Sequence, residues 1–256
     1  MVPDFLYQYF KDPQLTPLAA GGTQAKLYAL RADGERYVLK VQPLSKAEDS
    51  LEKEQRVYAW LSGKVPVPEV KFLVSNDAVA YLCMRELPGN TLEGYVGIWP
   101  DDQLVSRYAL ALKQLHAIPL DTTVPHWPLA SRLRMAQVLL QEGAIDEDDI
   151  DPSFKHLSLP ELFNEMLQQL PETLDEVFIH GDYCFDNLLF NVEAISGFID
   201  MGRGGRADRY QDLAIAARSI REAFDEQMVE SFFKAYGLTN PDEGKLRFYT
   251  MLDEFF

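Results

Sequence analysis

The sequence predicts an α+β protein in two lobes: a small N-terminal antiparallel β-sheet lobe with one helix at residues 1–87, and a larger, mainly helical C-terminal lobe at residues 88–256. Three observations predict it. The N-terminal third alternates short β-favouring runs with hairpin turns at Asp33-Gly34 and Asn76-Asp77. Arg85-Glu86-Leu87-Pro88-Gly89 then interrupts the last of these runs. Beyond Pro88, apolar residues recur at helical spacing, as Leu104, Tyr108, Leu112 and Leu115 do.

Taken in order, Pro3–Lys11 reads as a short helix, and Leu15–Ala20 and Lys26–Arg31 read as strands. Gly21-Gly22-Thr23-Gln24-Ala25 joins them. Paired glycines let backbone N–H groups approach a phosphate and Thr23 adds a hydroxyl, although such a pair also simply turns a chain. Arg36–Val41 is the next strand. Its Lys40 either snorkels from an edge or points into a site. The helix expected at Lys46–Ser62 bears on that choice. Glu54 falls on the same face as Leu51, Tyr58 and Leu61. A carboxylate on the core side of a helix wants a cation, and Lys40 is the nearest upstream. The alternative is that Glu52 faces inward, or that both are solvated. Val65-Pro66-Val67-Pro68 is a stiff connector, Glu69–Val74 and Val79–Met84 form a hairpin, and the lobe boundary falls near Pro88.

The second half is expected to carry helices at Asp101–Ala117, Pro128–Glu142, Leu159–Leu170, Tyr210–Ala223, Glu226–Tyr236 and Pro241–Phe256. His116, His126 and His156 are isolated and read as structural or surface residues. Asp146-Glu147-Asp148-Asp149-Ile150-Asp151 is an acidic loop just before the Leu159 helix. Arg203-Gly204-Gly205-Arg206 reads as a basic turn, with Asp208 a cap for the helix after it. The ending Leu252-Asp253-Glu254-Phe255-Phe256 places carboxylates at a helix C-terminus, against the dipole. Either a cation meets them or the end frays.

The chemistry concentrates in Val177–Phe190. Two apolar runs flank a polar loop, His180-Gly181-Asp182-Tyr183-Cys184-Phe185-Asp186-Asn187, and a third run ends in Asp200. Asp182 can accept a hydroxyl proton, and Asn187 can turn an amide oxygen toward a metal. Asp200, closing a buried strand, needs a cation such as Mg²⁺. The order Asp, Asn, Asp is that of the base and two metal ligands of kinase-type phosphoryl transfer. Each alone is an ordinary turn residue.

The 256 residues carry 40 acidic and 24 basic side chains, a net charge of −16. That excludes a basic nucleic-acid footprint and disfavours an anionic membrane surface, while permitting a cationic substrate. With 47% hydrophobic residues the core needs no staples, and Cys83 and Cys184 read as reduced thiols. No export signal, membrane span or obligate protein partner is evident, so the expected location is the cytoplasm.

His180-Gly181-Asp182 with Asn187, then Gly197-Phe198-Ile199-Asp200-Met201-Gly202-Arg203, then Ala207-Asp208-Arg209-Tyr210-Gln211-Asp212, and the ending Leu252-Asp253-Glu254-Phe255-Phe256 resemble the aminoglycoside 3'-phosphotransferases. That resemblance implies a two-lobe protein-kinase-like fold, antibiotic resistance, and ATP or GTP with Mg²⁺ as cofactors. It implies Asp182 as catalytic residue, with Arg203 steadying the transferring group, and Asn187 and Asp200 as metal ligands. For the nucleotide it implies Thr23, Lys40 with Glu54, Met84 behind the purine, and Arg85 and Leu87 as hinge groups. Val38 stands where a relative stacks an aromatic on adenine. The amines of the substrate fall to Asp148, Asp149, Asp151, Glu222, Asp253, Glu254 and the terminal carboxylate of Phe256. Rival readings are a homoserine, choline or sugar kinase on the same scaffold, an inactive nucleotide-binding module, and a metal-dependent hydrolase using His180 and Asp182.

Overall fold

The computed structural model describes residues 3–18, 25–44, 50–191 and 194–256; Thr23 lies outside them. In chain order the elements are β1 (Gln14–Pro17), β2 (Lys26–Ala32), β3 (Glu35–Pro43), α1 (Leu51–Leu61), β4 (Val70–Ser75), β5 (Val79–Arg85), β6 (Asn90–Thr91), α2 (Asp101–His116) and α3 (Leu129–Glu142). There follow α4 (Leu159–Gln168), β7 (Glu176–Ile179), β8 (Leu188–Phe190), β9 (Ile195–Phe198), β10 (Gly205–Asp208), α5 (Tyr210–Ala223), α6 (Glu226–Tyr236) and α7 (Glu243–Asp253). The chain divides into two compact units: Met1–Gly89 with Leu189–Arg203, and Asn90–Leu188 with Gly204–Phe256. The architecture is α+β, with an antiparallel sheet near the N-terminus and helices concentrated after it.

In the first unit the sheet runs β1-β2-β3-β5-β4, antiparallel throughout. The β2–β3 hairpin closes at Asp33-Gly34, both at positive φ (55° and 80°). That is the geometry Asp-Gly supplies for a turn matching strand twist. At the other hairpin Asn76 Oδ1 accepts from the N–H groups of Ala78 and Val79, each 2.9 Å. One sheet face buries Leu30, Leu39, Phe72 and Cys83 with Leu6 and Phe10. Leu6 comes from Asp4–Gln8, a 3-10 turn where the sequence suggested a short helix. α1 starts at Leu51, with Ser50 Oγ accepting the Lys53 N–H at 3.3 Å. The expected start at Lys46 falls outside the described residues. Its inward face is Leu51, Glu54, Val57, Tyr58 and Leu61, so Glu54 rather than Glu52 points to the core.

In the second unit α5 is buried almost all round and packs against α6 and α7, while α2 packs on α6. Local signals mark the ends. Ser158 and Glu161 form a reciprocal cap on α4, and Gly237 ends α6 at φ 99°. The side chain of Asp242 accepts the Lys245 N–H at 3.0 Å, so α7 begins at Glu243 rather than Pro241. The expected basic turn is instead β10, antiparallel to β7 with Gly205 opposite Ile179. A Cβ on Gly205 would lie 2.8 Å from the Pro125 carbonyl, so only glycine lets this strand pass. Asp208 does meet the first turn of α5, accepting the Tyr210 N–H at 3.1 Å, but its other oxygen takes the Lys245 ammonium at 3.0 Å. Among the described residues no helix is long and apolar enough to cross a membrane.

Candidate active site

The first unit gathers Lys40, Glu54 and Asp200 although they are far apart in sequence. Lys40, at the sheet centre on β3, is 7% exposed. Its ammonium donates to both Glu54 oxygens at 3.0 Å and to Asp200 Oδ1 at 2.7 Å. The ion pair expected from helical spacing is therefore formed, and Asp200 joins it. Tyr58, one turn along α1, donates to Glu54 Oε1 at 2.8 Å. Burial pulls the Lys40 pKa down, but Glu54 and Asp200 outweigh it and hold the amine charged above its usual range. Burial pushes Glu54 upward, with Lys40 pulling against it. Lys40 thus bridges the two carboxylates. Asp200 is the more open of the two, its side chain one-third exposed.

Asp200 sits at φ 57°, left-handed backbone that costs about 1–3 kcal/mol for a residue other than glycine. The strand leading to it explains how that conformation is held. The Phe198 N–H donates to the Pro66 carbonyl at 3.0 Å. A Cβ on Gly197 would lie 2.3 Å from the Leu87 side chain and 3.1 Å from the Pro66 carbonyl. α1 packs on the Met201–Arg203 turn just after Asp200. Met84 is buried on β5 opposite Val38. The Arg85 N–H is taken by the Glu69 carbonyl at 2.8 Å, and its guanidinium is exposed and paired with Glu35. Arg203 is half-buried.

In the second unit the loop after β7 holds Asp182 and Asn187. The Asn187 amide nitrogen donates to the Asp182 carbonyl and to its Oδ2, both at 2.9 Å. This fixes the Asp182 carboxylate and directs the Asn187 amide oxygen the other way. Gly181 takes φ 86°, which a side chain would strain. Tyr108 and Tyr183 stack at 4.6 Å and each hydroxyl donates to the other's backbone carbonyl. The mutual clasp locks the loop onto α2.

The carboxylates assigned to amine recognition do not form one set. Asp253 and Glu254 both approach Arg218 Nη1, at 3.8 and 3.7 Å, and Glu222 accepts from Arg218 Nε at 3.0 Å. A cation does meet the helix end, and it comes from α5. Glu254 is 5% exposed and accepts the Asp151 N–H at 3.0 Å, tying the acidic loop to the C-terminus. The Asp151 carboxylate itself is engaged by Ser153, and Asp148 is exposed. The Asp149 side chain lies outside the described residues. Phe256 rests edge-on against Trp127. Glu222 also lines a pocket of about 260 Å³ with Glu93, Asp186, Cys184 and Ser219. Glu93 lies outside every motif of the sequence, and Asp186, although inside the His180–Asn187 loop, has no role assigned to it there.

Burial raises the Glu254 pKa to about 7 from 4.5, with Asp253 and Asp151 adding to the rise and Arg218 opposing it. The folded protein thus binds this proton more tightly than the unfolded chain does. The cost of the buried charge is absent at low pH and grows as pH rises through the folded value. Glu254→Gln is expected to raise Tm relative to wild type at about pH 8, with the gap closing toward about pH 5. A gap independent of pH in thermal melts would remove this assignment.

Residues 14–249 match the model of the phosphotransferase enzyme family. An aminoglycoside 3'-phosphotransferase of Niallia circulans is 34% identical over 99% of this chain and 97% of its own. The crystal structure of a type VIII aminoglycoside 3'-phosphotransferase superposes with a TM-score of 0.86 at 30% identity, covering 98% of this chain and 96% of that one. A 3''-type aminoglycoside phosphotransferase of Streptomyces rimosus, solved with ADP and streptomycin, gives 0.79 at 26% identity over 94% and 92%.

Proposed function

We infer the reaction from one premise: this chain belongs to the phosphotransferase enzyme family, in its aminoglycoside 3'-phosphotransferase branch. It phosphorylates the 3'-hydroxyl of kanamycin- or neomycin-type aminoglycosides at the expense of ATP and so confers resistance. The observation that carries this reading is likeness over nearly the full length of both chains, in sequence and in structure.

Residues 1–87 serve as the nucleotide-binding lobe and 88–256 as the catalytic and aminoglycoside-binding lobe. Lys40, held by Glu54, grips the α/β-phosphates, and Met84 and Leu87 border the purine. Asp182, held by Asn187, orients the acceptor hydroxyl and takes its proton, while Arg203 steadies the transferring group. Asn187 and Asp200 would supply the hard oxygen donors that suit Mg²⁺. When bound, that ion neutralises phosphate charge; in a loose transition state, positioning and neutralisation supply the catalysis. Substrate ammonium groups pair with Glu222, Asp253, Asp148, Asp149, Asp151 and the Phe256 terminus. Glu254 acts as their support, because its accessible surface is small and one oxygen already holds the Asp151 N–H.

The test is ADP release with ATP and Mg²⁺, comparing no acceptor, kanamycin, and an aminoglycoside lacking the 3'-hydroxyl. Turnover that requires kanamycin and vanishes with the 3'-deoxy compound is the expected result. Equal turnover on the deoxy compound moves transfer to another hydroxyl. Nucleotide consumption without any acceptor points instead to a hydrolase.

A further inference from the structure

The core of the second unit holds an arginine that the assigned reaction does not use. Arg132, on α3, is 1% exposed. Its Nη1 donates to Gln211 Oε1 on α5. The guanidinium lies against two rings, its central carbon 5.2 Å from the centre of the Trp127 ring and 5.5 Å from that of Tyr249 on α7. Both distances fall within the reach of cation–π attraction. Among the described residues, its Nε and Nη2 have no hydrogen-bond partner, and no carboxylate forms an ion pair with it.

Such a placement works against stability. Burial disfavours the charge and lowers the Arg132 pKa, against the opposing pull of Tyr249, Asp212, Asp208 and Asp253. A buried charge without a paired carboxylate is destabilising next to an apolar side chain of similar bulk. Residues that break the rule of their surroundings in this way concentrate where function demands them.

The two rings lead to one stretch of chain. Tyr249 lies on α7, one turn before Asp253. Trp127, buried just before α3, donates its backbone N–H to the Arg206 carbonyl of β10 at 3.4 Å and meets the Phe256 ring edge-on, 6.1 Å between centres. Phe255 is fully buried against Phe163. The Asp253 side chain is 15% exposed, at the margin between this core and solvent. Arg132 therefore touches the stretch from Tyr249 to Phe256 twice, directly at Tyr249 and through Trp127 at Phe256. An alkyl side chain in its place fills space, but it offers neither ring the same attraction and gives Gln211 no donor.

We propose that Arg132 is a positioning residue for aminoglycoside recognition: by joining Trp127 to Tyr249 it sets where the end of α7 and the residues after it present Asp253 and its neighbours to substrate ammonium groups. The proposal rests on the substrate role assigned to that stretch above. Because Arg132 acts on the amine-binding end and not on the reacting groups, its loss weakens substrate binding and spares the chemical step.

The test compares wild type with Arg132→Met, Asp253→Asn and the double variant. It reads kcat, the KM of kanamycin and of ATP, thermal stability, and hydrogen exchange of the 253–256 amides in the substrate-free protein. Arg132→Met is expected to raise the kanamycin KM about tenfold, to leave kcat and the ATP KM within about twofold, and to speed exchange at those amides. In the double variant the rise in kanamycin KM is expected to fall short of the product of the two single rises, because both changes act on one contact. Rises that multiply would overturn the proposal. So would an unchanged kanamycin KM in folded Arg132→Met, or losses in kcat and both KM values that follow thermal stability alone. If Arg132→Met does not fold, Trp127→Phe, which keeps an aromatic ring, decides by the same KM and exchange readouts. A wild type without turnover on any aminoglycoside counts against the assigned reaction, and the exchange comparison then decides whether Arg132 holds the end of α7.

Discussion

Asp182→Ala is expected to bind nucleotide as the wild type does and to lose turnover by about 10³-fold, within the range that a general base contributes. The expectation follows from where Asp182 sits. Its carboxylate is partly exposed and held by the Asn187 side chain at 2.9 Å. Removing it leaves no buried partner charge behind, and the loop is still clasped by the Tyr108–Tyr183 pair and by Asp212. Activity should therefore fall without a comparable fall in stability. The check is kcat with nucleotide affinity measured separately, for instance by titration calorimetry. Turnover within tenfold of wild type would take the proton-accepting role away from Asp182.

Lys40→Met should behave differently, because it costs stability as well as activity. Glu54 is 2% exposed, and among the described residues it keeps only the Tyr58 hydroxyl once the ammonium is gone. Breaking a buried ion pair from one side costs about 3–5 kcal/mol, chiefly through the charge left unpaired. Lys40→Met combined with Glu54→Gln removes that charge, so the double variant is expected to regain most of the lost stability. It should not regain turnover, since the phosphate grip is still absent. Denaturant melts and kcat on the single and double variants separate the two effects. A double variant no more stable than Lys40→Met would show that the pair does not carry the burial cost assigned to it. A single variant with near-normal turnover would end the phosphate-gripping role of Lys40.

Glu54 and Glu254 show how far a sequence pattern reaches. Glu54 was legible because helical spacing alone placed it on the face of Leu51, Tyr58 and Leu61, and the structure puts it there, bonded to Lys40. Glu254 carries no such constraint. A carboxylate at a helix end reads equally as substrate ligand or as frayed surface, whereas the structure buries it against Arg218 and the Asp151 N–H. β10 was missed for a related reason. Gly205–Asp208 has little strand propensity of its own, and it is extended because β7 pairs with it. His116 read as structural, and its partner Asp212, 96 positions on, was outside the reach of any local signal.

The sequence by itself determined the two-part α+β order, the hairpin turns, most helices, the run from His180 to Asn187 and the family likeness. Each of these is encoded within a few consecutive residues, through turn chemistry, periodicity or a short motif. Tertiary structure alone decided which partner meets each buried charge. Lys40 reaches Asp200 across 160 positions, His116 reaches Asp212 across 96, and Asp151 reaches Glu254 across 103. A buried charge or N–H must be matched by whatever the packing brings to it, and packing joins helices and strands whose spacing along the chain carries no record of the contact.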